Sequence, residues 1–294
     1  MRSLAALTLA VALSGVGAPA AAYQCSRVPP AGPSLYWATR ALGYTINRTA
    51  FPSLLAQDVY DAVQASFATW QAVTCTDVHF SLLSLTDETV TGYNWRSPED
   101  NANLIIWRNG NADTAADLWR HERGSIAVTT TTFNSRSGEL LDADIEFNGQ
   151  YYQFTACTPP AAGCTVAYDV QNTLTHEIGH FIGLDHTPLS QPGASETTMY
   201  PSAPRGEISK RDLAADDIAG FCFIYPVGQP FQQCFPAAPP SGSDPIFSQV
   251  GNDPDTGCLC AGTGSGGDSA ALVVLLLALR GVGQRWRRSG ALLR

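Results

Sequence analysis

Residues 176–186 read His-Glu-Ile-Gly-His-Phe-Ile-Gly-Leu-Asp-His. In a helix, residues four apart stand one above the other on one face, so His176 and His180 can present two imidazoles to one metal ion. Glu177 sits one residue on, near that metal but rotated off the two-histidine axis. Gly183 accepts a positive φ without steric cost and lets the chain leave the helix sharply. That bend can return His186 to the same metal as a third ligand. Three neutral imidazoles and a water make an open tetrahedral zinc site, the arrangement of a catalytic rather than a structural ion. Such an ion polarises a carbonyl and lowers the pKa of its bound water to about 7. Glu177 is then the natural general base for that water and the carrier of its proton to a leaving amine.

The elements that must position these groups are legible as periodicities. Val170–Ile182 reads as the helix carrying the two histidines, ending at Gly183. Ser53–Val73 reads as a long amphipathic helix, with Leu55, Val59, Val63, Phe67 and Trp70 at helical spacing and Ser53 as its N-cap. A third helix is expected over Ser209–Phe221, with Ser209 and Asp212 at capping-box spacing. Strand patterns run over Ser34–Asn47, Val78–Leu85, Asn103–Trp107, Ile126–Phe133 and Leu140–Phe147, the last two forming a hairpin about a turn at Asn134–Gly138. Trp70, Trp107 and Trp119 read as core residues. His79, in a strand-like run, and His121, in a charged loop, read as structural or solvated residues rather than ligands. No internal repeat is evident.

The extended pattern H-E-x-x-H-x-x-G-x-x-H is the metzincin signature, and that clan places a methionine turn beneath the metal. Thr197-Thr198-Met199-Tyr200-Pro201 follows at a suitable distance, and Met199 is one of only two methionines, the other being Met1. Within the clan the sequence resembles the matrixins, the family of the matrix metalloproteinases and their bacterial relatives. Thr187 after the third histidine, Tyr200 after the methionine, then Pro201, Asp216-Asp217-Ile218-Ala219-Gly220 and Tyr225 carry the resemblance. It covers Ser34 to Pro226 in order of elements and is specific from Val170 to Tyr225. It implies an α+β fold with a twisted, mostly parallel five-stranded sheet, one antiparallel edge and three helices. It also implies a zinc endopeptidase whose closing helix buttresses the methionine turn. An extended substrate would add antiparallel to the Ile126–Phe133 edge, with Tyr200 and Pro201 lining the primed-side pocket. Tyrosine ligation of the metal, a feature of astacins and serralysins, is not expected, because Pro201 occupies that position.

Three features depart from the matrixin pattern. Only His79 and His121 lie outside the motif, so the family's second, structural zinc is not expected. The family's calcium ligands, Asp-x-x-Glu, are replaced by Asp142, Asp144 and Glu146 in alternation with apolar residues. Carboxylates suit Ca2+, but a solvated strand face is the plainer reading of that spacing. No cysteine-switch motif of the PRCGxPD kind surrounds Cys25, which reads as half of a disulfide.

The whole chain has 294 residues, 45% hydrophobic and 15% charged, a globular composition with room for one sizeable domain. Residues 1–22 read as a secretory signal peptide: Arg2, an apolar run from Leu4 to Val16, and Ala20 and Ala22 at a cleavage site. Its formal net charge is −9, and without residues 1–22 and 268–294 there remain 11 basic and 25 acidic residues, a net of −14. Such acidity argues against nucleic-acid binding. Eight cysteines in an exported chain suggest disulfides. The pairs expected are Cys157 with Cys164, Cys222 with Cys234, and Cys25 with Cys75, leaving Cys258 and Cys260.

Residues 23–226 are expected to form the catalytic domain and 227–256, dense in Pro, Gly, Ser and Gln, a linker. Residues 257–294 combine Cys258-Leu259-Cys260, a Gly/Ser spacer, an apolar run Ala270–Leu279 and terminal arginines. That tail resembles the C-terminal sorting tails of myxobacterial surface proteins and implies transient membrane anchoring. Protein or peptide substrates, one catalytic Zn2+ and a monomer are expected. Two alternatives stay open: an inactive surface-binding protein of the same fold, and a zinc hydrolase acting on cell-wall peptides.

Overall fold

The structure is a computed structural model that describes residues 23–49, 51, 54, 56–111, 115–156, 165–234, 247–250 and 257–259. The expected signal peptide, the Ser53 cap, the Cys157–Cys164 pair and the apolar tail lie outside these residues. The strands are β1 (Gln24–Cys25), β2 (Ala41–Asn47), β3 (His79–Thr86), β4 (Leu104–Trp107), β5 (Ser125–Asn134), β6 (Leu140–Phe147), β7 (Phe154–Thr155), β8 (Tyr168–Asp169), β9 (Leu184–Asp185), β10 (Phe247–Val250) and β11 (Gly257–Leu259). Three α-helices accompany them: α1 (Ala56–Gln71), α2 (Val170–Phe181) and α3 (Ala215–Ile224).

The fold is α+β. Its main sheet runs β3-β2-β4-β6-β5, parallel from β3 to β6 and antiparallel between β6 and β5. The five strands and their one antiparallel pair are those the sequence implies. Beyond them β5 is not a free edge, because β10 and β11 both pair with it antiparallel. The small ladders β1-β9 and β7-β8 frame α2 at its two ends.

The core lies between the sheet and the helices α1 and α2. Val59, Val63, Phe67 and Trp70 form the buried stripe of α1, and Trp70 donates its indole N–H to the Thr175 carbonyl of α2 at 2.9 Å. Phe67 stacks on Tyr44 of β2 at 3.7 Å between centroids, while Trp107 stacks on Phe147 at 4.1 Å. Trp70, Trp107 and Trp119 are all buried, as their sequence context implies.

Four local expectations are corrected. Ser34–Trp37 does not extend β2. Its backbone is held by long-range partners instead, with Ser34 bridged to Arg27 and Tyr36 to Glu139. The third helix begins at Ala215 rather than Ser209. Ser209–Arg211 makes one 3-10 turn, held where the Lys210 amide donates to Asn172 Oδ1 at 2.8 Å and the Arg211 guanidinium pairs with Asp169. The cap of α3 comes from Asp217, which accepts from the Ala214 amide at 2.9 Å. The disulfides join Cys25 to Cys234 and Cys75 to Cys222, not Cys25 to Cys75 or Cys222 to Cys234. Tertiary neighbourhood decides the pairing: the chain after α1 lies against the end of α3, where Thr76 bridges Pro226. Residues 227–234 pack on the domain, with Phe231 stacked 3.5 Å from Tyr36 and the Gln232 amide donating to the Ile224 carbonyl at 2.9 Å.

The fourth correction concerns the alternating carboxylates of β6, which are buried rather than solvated. Glu146 pairs with Arg108 and with His121, whose Nε2 lies 2.8 Å away. Asp144 accepts from the amides of Gly92 at 2.5 Å and Leu104 at 2.8 Å. Asp142 keeps one buried oxygen without a partner, and burial pushes its carboxyl up to about 6. An unfolded aspartate titrates near 3.9. Between about pH 4 and pH 6 the folded state therefore binds more protons than the unfolded chain, and stability falls as pH rises through that window. Asp142→Asn keeps an oxygen that can accept from Asp144 and removes the buried charge. It is expected to raise the thermal midpoint at pH 7.5 by about 3 °C, the shift that ~1 kcal/mol produces in a domain of this size. The fall in midpoint between pH 4 and pH 6 should flatten. Calorimetry across that range checks both, and a lower midpoint at pH 7.5 with an unaltered slope contradicts the assignment.

Candidate metal centre

α2 starts where Asp169, at the N-cap, accepts from the Asn172 amide at 2.7 Å; Arg211 neutralises its carboxylate. The helix is buried over nearly its whole length. Its C-terminal carbonyls are taken up individually. Phe181 accepts from the Trp37 indole at 2.7 Å, and Ile182 accepts from the Tyr225 hydroxyl at 2.9 Å, which itself accepts from the Trp37 amide. Gly183 then turns the chain with φ +95°, and a Cβ there would lie 2.5 Å from the Leu35 carbonyl oxygen. No other residue fits both the dihedral and the space. The turn returns His186 to the face that carries His176 and His180.

The His186 Nε2 lies 3.3 Å from the Nε2 of His176 and 3.2 Å from that of His180. Two nitrogens bound to one tetrahedral zinc at ~2.05 Å stand about 3.3 Å apart, so the spacing fits a shared ion. The protonation pattern fits too. His176 Nδ1 faces the Thr198 carbonyl at 2.6 Å, and His180 Nδ1 faces the Leu184 carbonyl at 2.9 Å. A carbonyl only accepts, so each Nδ1 carries the hydrogen and each Nε2 presents a lone pair. Burial and the neighbouring imidazoles hold His176 well below the ordinary histidine range, and burial takes His180 down to about 4. Both rings are therefore neutral at pH 7, each with a lone pair that could take a metal. Among the described residues, these three histidines form the one group of His, Cys, Asp or Glu side chains close enough to share a metal ion.

Glu177 lies fully buried beside the triad, and burial pushes its carboxyl up to about 8. The Thr129 hydroxyl of β5 donates to Oε2 at 2.7 Å and lies 3.1 Å from the Glu177 carbonyl. Oε1 has no hydrogen-bond partner within the protein. One oxygen is thus fixed to the sheet while the other remains available, the division a proton carrier needs. Thr129 belongs to a run of four threonines whose strand character hid this role in the sequence.

Met199 is buried, and Gly179, between the two helical histidines, makes room for it: a Cβ on Gly179 would lie 2.1 Å from the Met199 sulfur. The turn is fixed by Asp217 of α3, whose carboxylate accepts from the Thr198 amide at 2.8 Å and the Met199 amide at 3.1 Å. The Met199 carbonyl in turn accepts from the Thr187 amide at 2.9 Å. Tyr200 and Pro201 follow, both half-buried, with the Lys210 ammonium 5.8 Å from the Tyr200 ring centroid. On the other side of the triad a cleft of about 260 Å³ is walled by Thr129, Thr131 and Phe133 of β5, by His180, and by Pro29 and Leu35 of the N-terminal segment. His79 is exposed at the start of β3 and His121 is paired with Glu146, so neither joins the triad.

The matrixin family profile matches residues 36–226. Two relatives from Arabidopsis thaliana are similar to the chain. Metalloendoproteinase 2-MMP is 29% identical over 157 residues, which cover 52% of this chain and 36% of that protein. Metalloendoproteinase 1-MMP is 47% identical over 60 residues, 20% of this chain and 15% of that protein. The chain thus spans about a third or less of the length of these relatives. The profile match takes in the sheet, all three helices, the three histidines and the methionine turn, and with them the catalytic zinc that the family implies: the chain belongs to the matrixin family.

Proposed function

We propose that this protein is an exported zinc-dependent endopeptidase, with residues 23–226 as its catalytic domain. The observation that supports this most is the convergence of three neutral imidazoles beside a carboxylate with one free oxygen. Zinc held by His176, His180 and His186 supplies a Lewis acid for the scissile carbonyl and a water of lowered pKa. Glu177 Oε1 accepts the proton of the attacking water and delivers it to the leaving amine. Thr129 holds Oε2 throughout and keeps Oε1 aimed at the triad. An extended peptide lies along β5, where backbone pairing accepts any sequence and side-chain pockets give preference. Tyr200 and Pro201 wall the primed-side pocket, and Met199 floors the centre.

Export rests on residues 1–22 and on the two disulfides, which persist in oxidising compartments. The tail from 257 to 294 acts as a transient surface anchor in this reading; among the described residues no helix is long and apolar enough to cross a membrane.

The decisive assay offers the zinc-loaded protein a casein-like protein and a cell-wall peptide, each with and without a chelator. Cleavage of the protein substrate, abolished by chelation and restored by Zn2+, is expected. Cleavage of the cell-wall peptide alone moves the function to that substrate class. Binding without turnover of either would leave an inactive surface-binding protein.

A further inference from the structure

The edge that we read as the peptide site is already paired with residues of the same chain. Phe247, Ser248, Gln249 and Val250 oppose Asn134, Phe133, Thr132 and Thr131. Gly257 and Leu259 oppose Val128 and Ser125. Both stretches run antiparallel to β5, the direction expected of a substrate. They bracket Thr129, the residue whose hydroxyl holds the Glu177 carboxylate. Thr131 and Phe133, which wall the cleft beside His180, stand opposite β10. Between the two ladders the C-terminal chain advances seven residues against three on β5. The two ladders are therefore out of register with one another across Thr129 and Thr130, as suits an occupant that blocks the edge.

The attachment point strengthens this reading. Cys234 is bonded to Cys25, whose strand β1 pairs with β9 next to His186. Only twelve residues thus separate Cys234 from Phe247, and Cys234 is bonded to the strand next to the site. A short tether gives an effective concentration on the order of a millimolar. Six residues paired through their backbone make a weak ligand, with a dissociation constant on the order of 0.1 mM.

We propose that β10 (Phe247–Val250) and β11 (Gly257–Leu259) are built-in occupants of the β5 edge, competing with peptide substrates for the site; this rests on the reading of β5 as the substrate edge. At those concentrations the segment raises the apparent KM about tenfold and leaves kcat unchanged. A protein substrate gains access by displacing it.

The test uses the full chain carrying Ser248→Pro and Gln249→Pro together. Consecutive amides of a strand point to opposite sides, so the pair removes a ladder donor in either phase. Two readouts are compared with the unaltered chain: the kinetics of peptide hydrolysis, and hydrogen exchange of the β5 amides from Thr131 to Asn134. The expected result is a KM about tenfold lower at equal kcat, with faster exchange in β5. A synthetic peptide of residues 245–260, added to the variant, should raise KM again. Equal KM and equal exchange in the two chains overturn the proposal while leaving the hydrolase reading intact. Faster exchange in a variant pair that cleaves no peptide supports the docked strand and overturns the hydrolase reading instead.

Discussion

Glu177→Ala is expected to lower kcat on a peptide by about 10³-fold, within the range that positioned proton transfer contributes. The loss should not come from misfolding. Glu177 is wholly buried, its charged form is disfavoured there, and its side chain has one partner, the Thr129 hydroxyl. Removing a carboxyl whose ionisation burial opposes takes away a cost as well as a contact, so the thermal midpoint should hold or rise. His176 and His180 keep their carbonyl partners, and the triad should retain zinc at one ion per chain. Glu177→Gln, which preserves the oxygen toward Thr129, should be as slow as the alanine variant, since an amide cannot carry the proton. Metal analysis, calorimetry and single-turnover kinetics on the same preparations separate these points. A Glu177→Ala protein with full activity and full zinc content would falsify the proton-carrier role.

The second large effect is expected on stability. Asp217→Ala should cost about 4 kcal/mol, because three backbone amides of Thr198, Met199 and Ala214 lose one charged acceptor and such bonds contribute roughly 1.5–3 kcal/mol each. Burial pushes the Asp217 carboxyl up from its ordinary range, and the full value of those bonds is correspondingly discounted. The same substitution should weaken zinc. The Thr198 carbonyl that orients His176 belongs to the turn that Asp217 holds, and loss of a group that orients a ligand costs about 10- to 100-fold in metal affinity. Asp217→Asn, with one accepting oxygen, should fall between. Urea unfolding gives the first quantity and competition with a zinc chelator the second. Unchanged stability with wild-type zinc affinity would mean that the turn is held by its packing on Gly179 alone.

The metal centre was legible because its geometry is local. His176, Glu177, His180, Gly183 and His186 lie within eleven residues, and helical periodicity with one left-handed turn is enough to place them. The five strands were legible through alternation or β-branched and aromatic composition, and the hairpin of β5 and β6 through the turn composition between them. What sequence could not supply were partners chosen by tertiary contact. Cysteines near in sequence suggested one set of disulfides, whereas the approach of the chain after α1 to α3 selects another. Alternation along β6 predicts one wet face, but the Leu104 amide of β4, Arg108 just after it, and His121 and the Gly92 amide from loops bury it. Ser209 looked like a cap, yet Asn172 and Asp169 of the neighbouring helix claim that segment. Thr129 was visible only as a strand residue.

The two disulfides set an order of assembly. They span 209 and 147 residues, and each needs a cysteine from the far end of the domain, Cys234 or Cys222. A ribosome delivers the histidines of α2 before either cysteine, and it delivers Asp217, the support of the methionine turn, only shortly before Cys222. Neither covalent ring can close around a half-made chain. The support of the methionine turn therefore arrives after all three histidines, which separates in time the making of the imidazoles from the making of a site able to hold an ion.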